Sequence, residues 1–555
     1  MTGMANTVLS LLNRTTLDAY TKAGFWAGDT IYALAAAHAR MTPNAYAVRD
    51  GMARVSYRDL VDAADALARD MVAHGVRPGQ RVAVWLPSRI ETAVALLACS
   101  RNGHVCCPSL HRDHTVADVA ALCERMRAVA LVAQPGYGAD GARIDVFEAA
   151  KTVPSLRRLY RIAPGVPGGF AALVDPAAPD VPPSTDPNRI IYLPFTSGTT
   201  GAPKGVMHSD NTLLANARAM AADWAFGPRS VTYTLSPLSH NLGLGALITS
   251  VVAGGELVVH DIPRSASLLD RLVETGATFL FGVPTHAIDL LAELRARGAG
   301  RLGRVTGFRI SGAAATAEVV GALMQHGVTP QSGYGMTETC SHQYTLPGDD
   351  PADITGTSGR ACPGYEVKIW RQDDPDMEAA PGEVGQIGGR GASLMLGYFG
   401  DQDTTEQSFN AHGWFMTGDL GSMDGRGFLR VSGRKKDLII RGGHNIYPAQ
   451  IEALAMRHAA VDKVAAFPVP DARLGEKVCL ALVPRPGQPI DDGALLAHLD
   501  AAGLSRYDMP EYLLTLDALP MTASGKIVKR DLSRLVQDGA LQPRPVRFAG
   551  AATRE

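Results

Sequence analysis

Two hydrophobic periods alternate along this chain. From Ser56, Leu60, Ala63, Leu67 and Met71 recur at helical spacing and end at Gly75, which predicts an amphipathic helix capped by the serine. The short apolar run 81–86 follows as a strand, and Ser88 with Glu91 offers a capping box into an apolar helix ending near Asn102 and Gly103. Further apolar runs at 128–132, 190–195, 256–259, 278–283 and 308–310 lie near glycines, prolines or helical stretches, as buried strands covered by helices do. The proline-rich stretch 175–184 reads as a surface loop. The pattern predicts an α/β fold.

Beyond Gly425 the composition turns charged and glycine-rich, through Gly433, Arg434, Lys435, Lys436 and Asp437, and a domain boundary is placed there, giving 1–433 and 434–555. The second part carries helices at 450–457 and 494–501 and strands at 461–468 and 478–483. Its tail after Gly539, rich in Pro, Arg and Ala without periodicity, reads as disordered.

A chain of 555 residues with 46% hydrophobic content can bury several cores. A net charge of −2 provides no global field for nucleic acid or an anionic membrane, so anion binding must be local. The seven cysteines show no Cys-x-x-Cys spacing, which argues against a disulfide frame or zinc site and for small buried side chains. No segment reaches the length of a membrane span, no basic leader precedes an apolar stretch, and a cytoplasmic location is expected.

The most chemically specific segment follows the 190–195 run: Thr196, Ser197, Gly198, Thr199, Thr200, Gly201, Ala202, Pro203, Lys204 and Gly205. Hydroxyls and close-approaching backbone amides suit phosphate oxygens, and Lys204 adds a mobile charge. No Gly-Lys-Ser/Thr closes the segment, so it is not a Walker loop. A flexible Gly/Thr linker is the alternative on composition, and the preceding strand counts against it.

These ten residues resemble the phosphate loop of the acyl-CoA synthetase, adenylation-domain and luciferase superfamily. The resemblance extends in order through Pro237 to Asn241, Tyr334-Gly-Met-Thr337-Glu338, Gly382-Glu-Val-Gly385, Trp414 to Asp419, Gly433 to Asp437, and Pro520 to Lys526. It implies a large N-terminal domain of helix-covered sheets and a small mobile α+β C-terminal domain, hinged at Lys436. It also implies an ATP-dependent ligase that makes an acyl-adenylate and then an acyl-CoA, with ATP, Mg2+ and coenzyme A as cofactors and co-substrates.

Residue by residue, the resemblance gives Lys526 as the adenylation catalyst, Thr337 as a phosphate contact and Glu338 as the magnesium ligand. Asp419 and Arg434 would hold the ribose, Tyr334 the adenine face, and Gly312, Ala313 and Ala314 its edge. His240 would lie beside the substrate carboxylate, and Gly442 and Gly443 would line the pantetheine channel. Taken singly, these residues have plainer readings: a helix start for Thr337-Glu338, a turn for Asp419, a core ring for Tyr334, a structural imidazole for His240 and a solvated charge for Lys526.

The chain departs from common family patterns at Ser239, where an aromatic residue often stands, and at His444, where Glu is frequent. No aspartate near His240 is available for a substrate amine, so amino acids are disfavoured. The small or apolar candidates Asn241, Leu242, Gly312, Met336 and Cys340 suit a medium-chain, alicyclic or aromatic acid. No carrier-attachment motif follows Lys526, which points to free CoA. An acyl-AMP ligase loading a carrier protein and a non-catalytic nucleotide-binding scaffold are the alternatives. The surroundings of Lys526 also resemble sites acted on by a lysine acetyltransferase, and the sequence leaves a homodimer open.

Overall fold

The structure is a computed structural model that describes residues 8–196, 203–263, 265–312, 315–521 and 527–548. Ser197, Gly198, Thr199, Thr200, Gly201, Ala313, Ala314 and Lys526 therefore lie outside the described residues. The chain packs as two compact units, one of Met1–Val367 with Gly389–Phe415, the other of Lys368–Gly388 with Met416–Glu555.

The first unit holds a nine-stranded sheet. Its strands run in the order Arg360–Ala361, Cys340–Tyr344, Thr329–Met336, Gly307–Ile310, Phe279–Gly282, Val231–Thr234, Glu256–Val259, Tyr46–Arg49 and Arg54–Ser56. The six strands from Thr329–Met336 to Tyr46–Arg49 are parallel, and antiparallel strands close both edges. From Val231–Thr234 the chain moves to one neighbour, Glu256–Val259, and then crosses to the other, Phe279–Gly282. That reversal opens a crevice beyond the carboxyl ends of the strands, where α/β sheets bind ligands. A second, six-stranded sheet has Arg81–Trp85, Val105–Cys107 and Ala128–Ala133 at its centre. The apolar runs expected to be strands lie here because both sheet faces are covered: every residue of Ala128–Ala133 and Glu256–Val259 is buried. All seven cysteines are buried and free.

The helix Tyr57–Ala73 begins as expected, with Ser56 and Asp59 forming the capping box, and it buries Ala64 beside Leu60, Leu67 and Met71 while Ala63 is half-buried. Three local expectations are corrected. Ser88 and Glu91 form no capping box: the helix Ile90–Asn102 starts from Arg89, and the Ser88 hydroxyl accepts from the Leu238 amide. Glu91 instead takes the Arg89 guanidinium in a buried bidentate pair, with Nε–Oε2 at 2.6 Å and Nη2–Oε1 at 2.9 Å. All thirteen residues of that helix are buried, so its acidic side chain needs a counter-charge more than the backbone needs a cap. The 190–195 run divides at Pro194 into Ile190–Tyr192 and Phe195–Thr196, since proline has no N–H for a ladder.

The third correction concerns the tail. In the second unit a six-stranded sheet contains Gly475–Pro484 between Ile439–Arg441 and Tyr512–Thr515, with Val461–Asp471 also paired to it. Beyond Gly539, Arg544 and Pro545 pair with Leu513 and Tyr512, and Val546 and Phe548 pack on the core around Leu480, Leu495 and Leu499. The tail to residue 548 is thus ordered by tertiary pairing that its composition does not show.

The first unit buries several histidines in neutral form. Burial lowers His104, His208 and His286 to about 4 and is the main cause lowering His111 and His342 to about 3. An unfolded histidine titrates near ~6.5, so these groups stabilise the fold fully above that value, and the contribution is lost as pH falls toward their folded values. The unfolding free energy is expected to drop between neutral pH and about pH 5, by up to roughly 2 kcal/mol per histidine, and the urea midpoint with it. An unchanged midpoint would show that these rings are not held neutral.

Candidate active site

The crevice-facing loops of the first unit gather most of the residues expected to carry chemistry. Thr196 pairs with Lys204 and Phe195 with Gly205, making a two-stranded ribbon on either side of the hydroxyl-rich segment. The Gly205 carbonyl accepts from the Phe399 amide at 2.7 Å, and Val206 bridges Tyr398. Lys204 Nζ lies 4.8 Å from the centroid of the Tyr398 ring. The Tyr398 hydroxyl donates to Glu338 Oε1 at 2.9 Å, and the Glu338 carbonyl accepts from the Met395 amide at 2.7 Å. Burial and the Glu338 carboxylate both push the Tyr398 phenol up, so it remains a donor.

Thr337 and Glu338 lie in a turn between Thr329–Met336 and Cys340–Tyr344, not at a helix start. His208 fixes this turn. Its Nε2–H donates to the Thr337 carbonyl at 2.8 Å, which leaves Nδ1 to accept from the Thr212 hydroxyl at 3.1 Å. Burial keeps the ring neutral, as this pair of bonds requires. Glu338 itself is 6% exposed and Thr337 is half-buried.

His240 caps the helix Asn241–Ala253 at the carboxyl end of Val231–Thr234. Its ring stacks on His111 with centroids 4.0 Å apart and planes 13° from parallel. His111 Nδ1 lies 3.1 Å from the Ser239 hydroxyl, and the His111 carbonyl accepts from Trp85 Nε1. Ser239 therefore fastens the imidazole stack. Cys340 sits at φ 57 with its thiol pushed up to about 12 by burial, an effect the Asn241 side chain opposes, and its cross-strand partner Met336 is half-buried. Gly312 has φ +90, a conformation that favours glycine. Tyr334 is half-buried and meets His342 edge-on at 5.4 Å.

In the second unit Asp419 and Arg434 are cross-strand partners, with Nε–Oδ1 at 3.3 Å, and Asp419 is 8% exposed. The Asp419 amide donates to the Thr417 hydroxyl, which donates to the Ile387 carbonyl. Lys436 is exposed in the turn Lys435–Asp437. Gly442 and Gly443, at φ +58 and +86, form the two-residue turn of the hairpin between Ile439–Arg441 and His444–Ile446, which requires positive φ at both positions. His444 Nε2 lies 2.9 Å from Asp508 Oδ1.

The sequence reading missed His208, Tyr398 and His111. Only their neighbourhood carried a signal, because His208 follows Lys204 by four positions and their partners lie far along the chain.

Comparison with known proteins gives this arrangement its class. The chain belongs to the AMP-binding enzyme family, whose model matches residues 35–399, with the AMP-binding enzyme C-terminal domain matching 450–526. It is an AMP-forming acid–thiol ligase of the acyl-CoA synthetase superfamily, with that superfamily's large N-terminal and small C-terminal domains. It is 32% identical over 505 residues to a feruloyl-CoA synthase of Amycolatopsis sp, covering 89% of this chain and 97% of that protein. It is 34% identical to a salicylyl-CoA synthase / salicylate adenylyltransferase of Streptomyces sp, covering 94% and 96%. The solved structure of ATP-bound MatB from Rhodopseudomonas palustris superposes with a TM-score of 0.80 at 28% identity, covering 92% of this chain and 99% of that one. Among the described residues, no helix is long and apolar enough to cross a membrane.

Proposed function

We propose that this chain activates a free medium-chain, alicyclic or aromatic carboxylic acid with ATP, forming acyl-AMP, and passes the acyl group to CoA with release of AMP and pyrophosphate. The observation that carries the reading is the convergence of Lys204, Tyr398, Glu338 and Thr337 beside the ribbon of the hydroxyl-rich segment. In the first step a carboxylate oxygen bonds to the α-phosphorus and the bond to pyrophosphate breaks, so negative charge develops on phosphoryl oxygens. Charge of the opposite sign, held in place beforehand, lowers that barrier.

Ser197, Gly198, Thr199, Thr200 and Gly201, flanked by Thr196 and Lys204, hold the leaving phosphates. Thr337 contacts phosphate, and Lys526 supplies the ammonium at the reacting centre. The buried Glu338 carboxylate, oriented by Tyr398, with the neighbouring Thr337 hydroxyl, offers oxygen donors of the kind Mg2+ accepts alongside phosphates and waters. Bound Mg2+ would supply charge neutralisation on the phosphates. Asp419 and Arg434 bind the ribose; Tyr334, Gly312, Ala313 and Ala314 bind the adenine. His240, held by the His111 stack, orients the substrate carboxylate, with Asn241, Gly312, Met336 and Cys340 around the acyl chain.

For the second step, residues 434–555 turn about Lys436 and the thiol arm passes Gly442 and Gly443. Acetylation of Lys526 would remove its charge and silence the first step. A relative named salicyl-AMP ligase / salicyl-S-ArCP synthetase makes carrier-protein loading the second reading. Acid-dependent pyrophosphate exchange, followed by chromatography of products formed with CoA or with a carrier protein, tests both. Acyl-CoA formation is expected; acyl-AMP that only a carrier protein discharges would favour the second reading, and no ATP turnover with any acid would leave a nucleotide-binding scaffold.

A further inference from the structure

The segment 391–399 lies between two sets of contacts. On one side it holds the turn of Thr337 and Glu338: the Met395 amide donates to the Glu338 carbonyl at 2.7 Å, the Ser393 hydroxyl to the Thr339 carbonyl at 3.1 Å, and the Tyr398 hydroxyl to Glu338 Oε1. On the other it is held by the N-terminal segment 8–27, which precedes the 35–399 match to the family. The Leu11 amide donates to the Leu396 carbonyl at 2.9 Å, and Trp26 Nε1 donates to the Ala392 carbonyl at 2.9 Å. Trp26 is 3% exposed and Ala392 1%, so water cannot stand in for either partner of that bond. Leu12, Leu17, Tyr20 and Phe25 pack against the cluster of Trp26, Ala215 and Ala392.

The same segment reaches the turn by a second route. The Ala27 amide donates to Asn211 Oδ1 at 3.1 Å, on the helix Asp210–Asp223. On that helix the Thr212 hydroxyl lies 3.1 Å from His208 Nδ1, and His208 bonds the Thr337 carbonyl. Trp26 and Ala27 therefore tie together both supports of the turn, one ending at Thr337 and the other at Glu338. The amides of 391–399 point elsewhere, Ala392 to Gly364, Leu394 to Gly391 and Leu396 to Met207. Its fastening to the N-terminal segment runs through the Ala392 and Leu396 carbonyls.

We propose that residues 8–27 brace the turn of Thr337 and Glu338, and that Trp26 is a positioning residue for Glu338, acting through 391–399. This rests on the ligase reading, in which the Glu338 carboxylate binds Mg2+. The indole commits its one polar atom to the strip that carries Met395 and Tyr398, whereas a phenyl ring would occupy the site without that bond.

The test compares full-length wild type with Trp26→Phe, which keeps an aromatic ring and loses the donor, and with Leu11→Pro, which loses the backbone N–H. One readout is acid-dependent pyrophosphate exchange titrated with Mg2+. The other is hydrogen–deuterium exchange of peptides covering 330–345, followed by mass spectrometry without ligand. Trp26→Phe is expected to raise the Mg2+ concentration for half-maximal exchange roughly 10-fold, the low end of the cost of losing an outer partner of a metal ligand, with KM for the acid unchanged. Peptides over 330–345 should lose protection while those over Arg81–Trp85 and Ala128–Ala133 keep theirs. Combined with Tyr398→Phe, the loss should be less than additive, because both substitutions act on one carboxylate. Wild-type magnesium dependence together with wild-type protection at 330–345 in both variants overturns the brace and leaves the ligase reading standing. Protection lost evenly across the unit, with a lowered melting temperature and unchanged magnesium dependence, overturns it in favour of a role in stability alone. If wild type exchanges with no acid, the ligase reading falls, and protection lost only at 330–345 still upholds the brace. Leu11→Pro supplies the same comparisons should Trp26→Phe fail to fold.

Discussion

Lys526→Ala is expected to bind ATP normally and to form acyl-adenylate roughly 100- to 1000-fold more slowly, the usual cost of removing one donor aimed at a transition state. The effect should fall on the first half-reaction, because the proposed role of the ammonium is at the α-phosphorus as pyrophosphate is exchanged for a carboxylate oxygen. Its sequence neighbours are anchored: Met521 bridges Ile527, and the Val528 amide donates to the Pro520 carbonyl at 2.8 Å. Removing the side chain should therefore leave the unit folded. Calorimetric ATP binding and a melting temperature equal to wild type, with pyrophosphate exchange lost, are the expected results. Thioester formation from added acyl-AMP and CoA should be far less affected. Exchange near the wild-type rate would remove Lys526 from the chemistry.

What was legible beforehand follows from what a short window encodes. Continuous apolar runs became strands almost to the residue at Glu256–Val259 and Ala128–Ala133, because sheets covered on both faces need no polar alternation. The ordered motifs named Thr337, Glu338 and His240, and these follow the carboxyl ends of two parallel strands of the same sheet, where loops after parallel strands must fall. The contacts that fix those residues were not legible. His208 reaches Thr337 across 129 positions and Tyr398 reaches Glu338 across 60, and nothing local marks either partner. The Ser88 cap failed for the same reason, because the hydroxyl was taken by Leu238, 150 positions away. Arg309 sits inside the 308–310 run that the sequence places in a buried strand, and only Gly333 opposite shows how its side chain is accommodated there.

Glu338→Gln is the sharper probe of the nucleotide side, expected to lower adenylation by about 100-fold, or about 2.7 kcal/mol of barrier. The substitution conserves shape: a glutamine oxygen still accepts from the Tyr398 hydroxyl, and the backbone bond from Met395 to the carbonyl of residue 338 is untouched. What disappears is one negative charge in a buried turn held by His208. If that charge binds Mg2+ together with the phosphates, the magnesium concentration giving half-maximal exchange should rise along with the loss of rate, and excess Mg2+ should restore part of the activity. A purely structural role for Glu338 predicts the reverse: a lowered melting temperature with an unchanged magnesium dependence. Titrating exchange against Mg2+ in wild type, Glu338→Gln and Tyr398→Phe separates the two, because Tyr398→Phe loosens the carboxylate without removing its charge and should fall between the others.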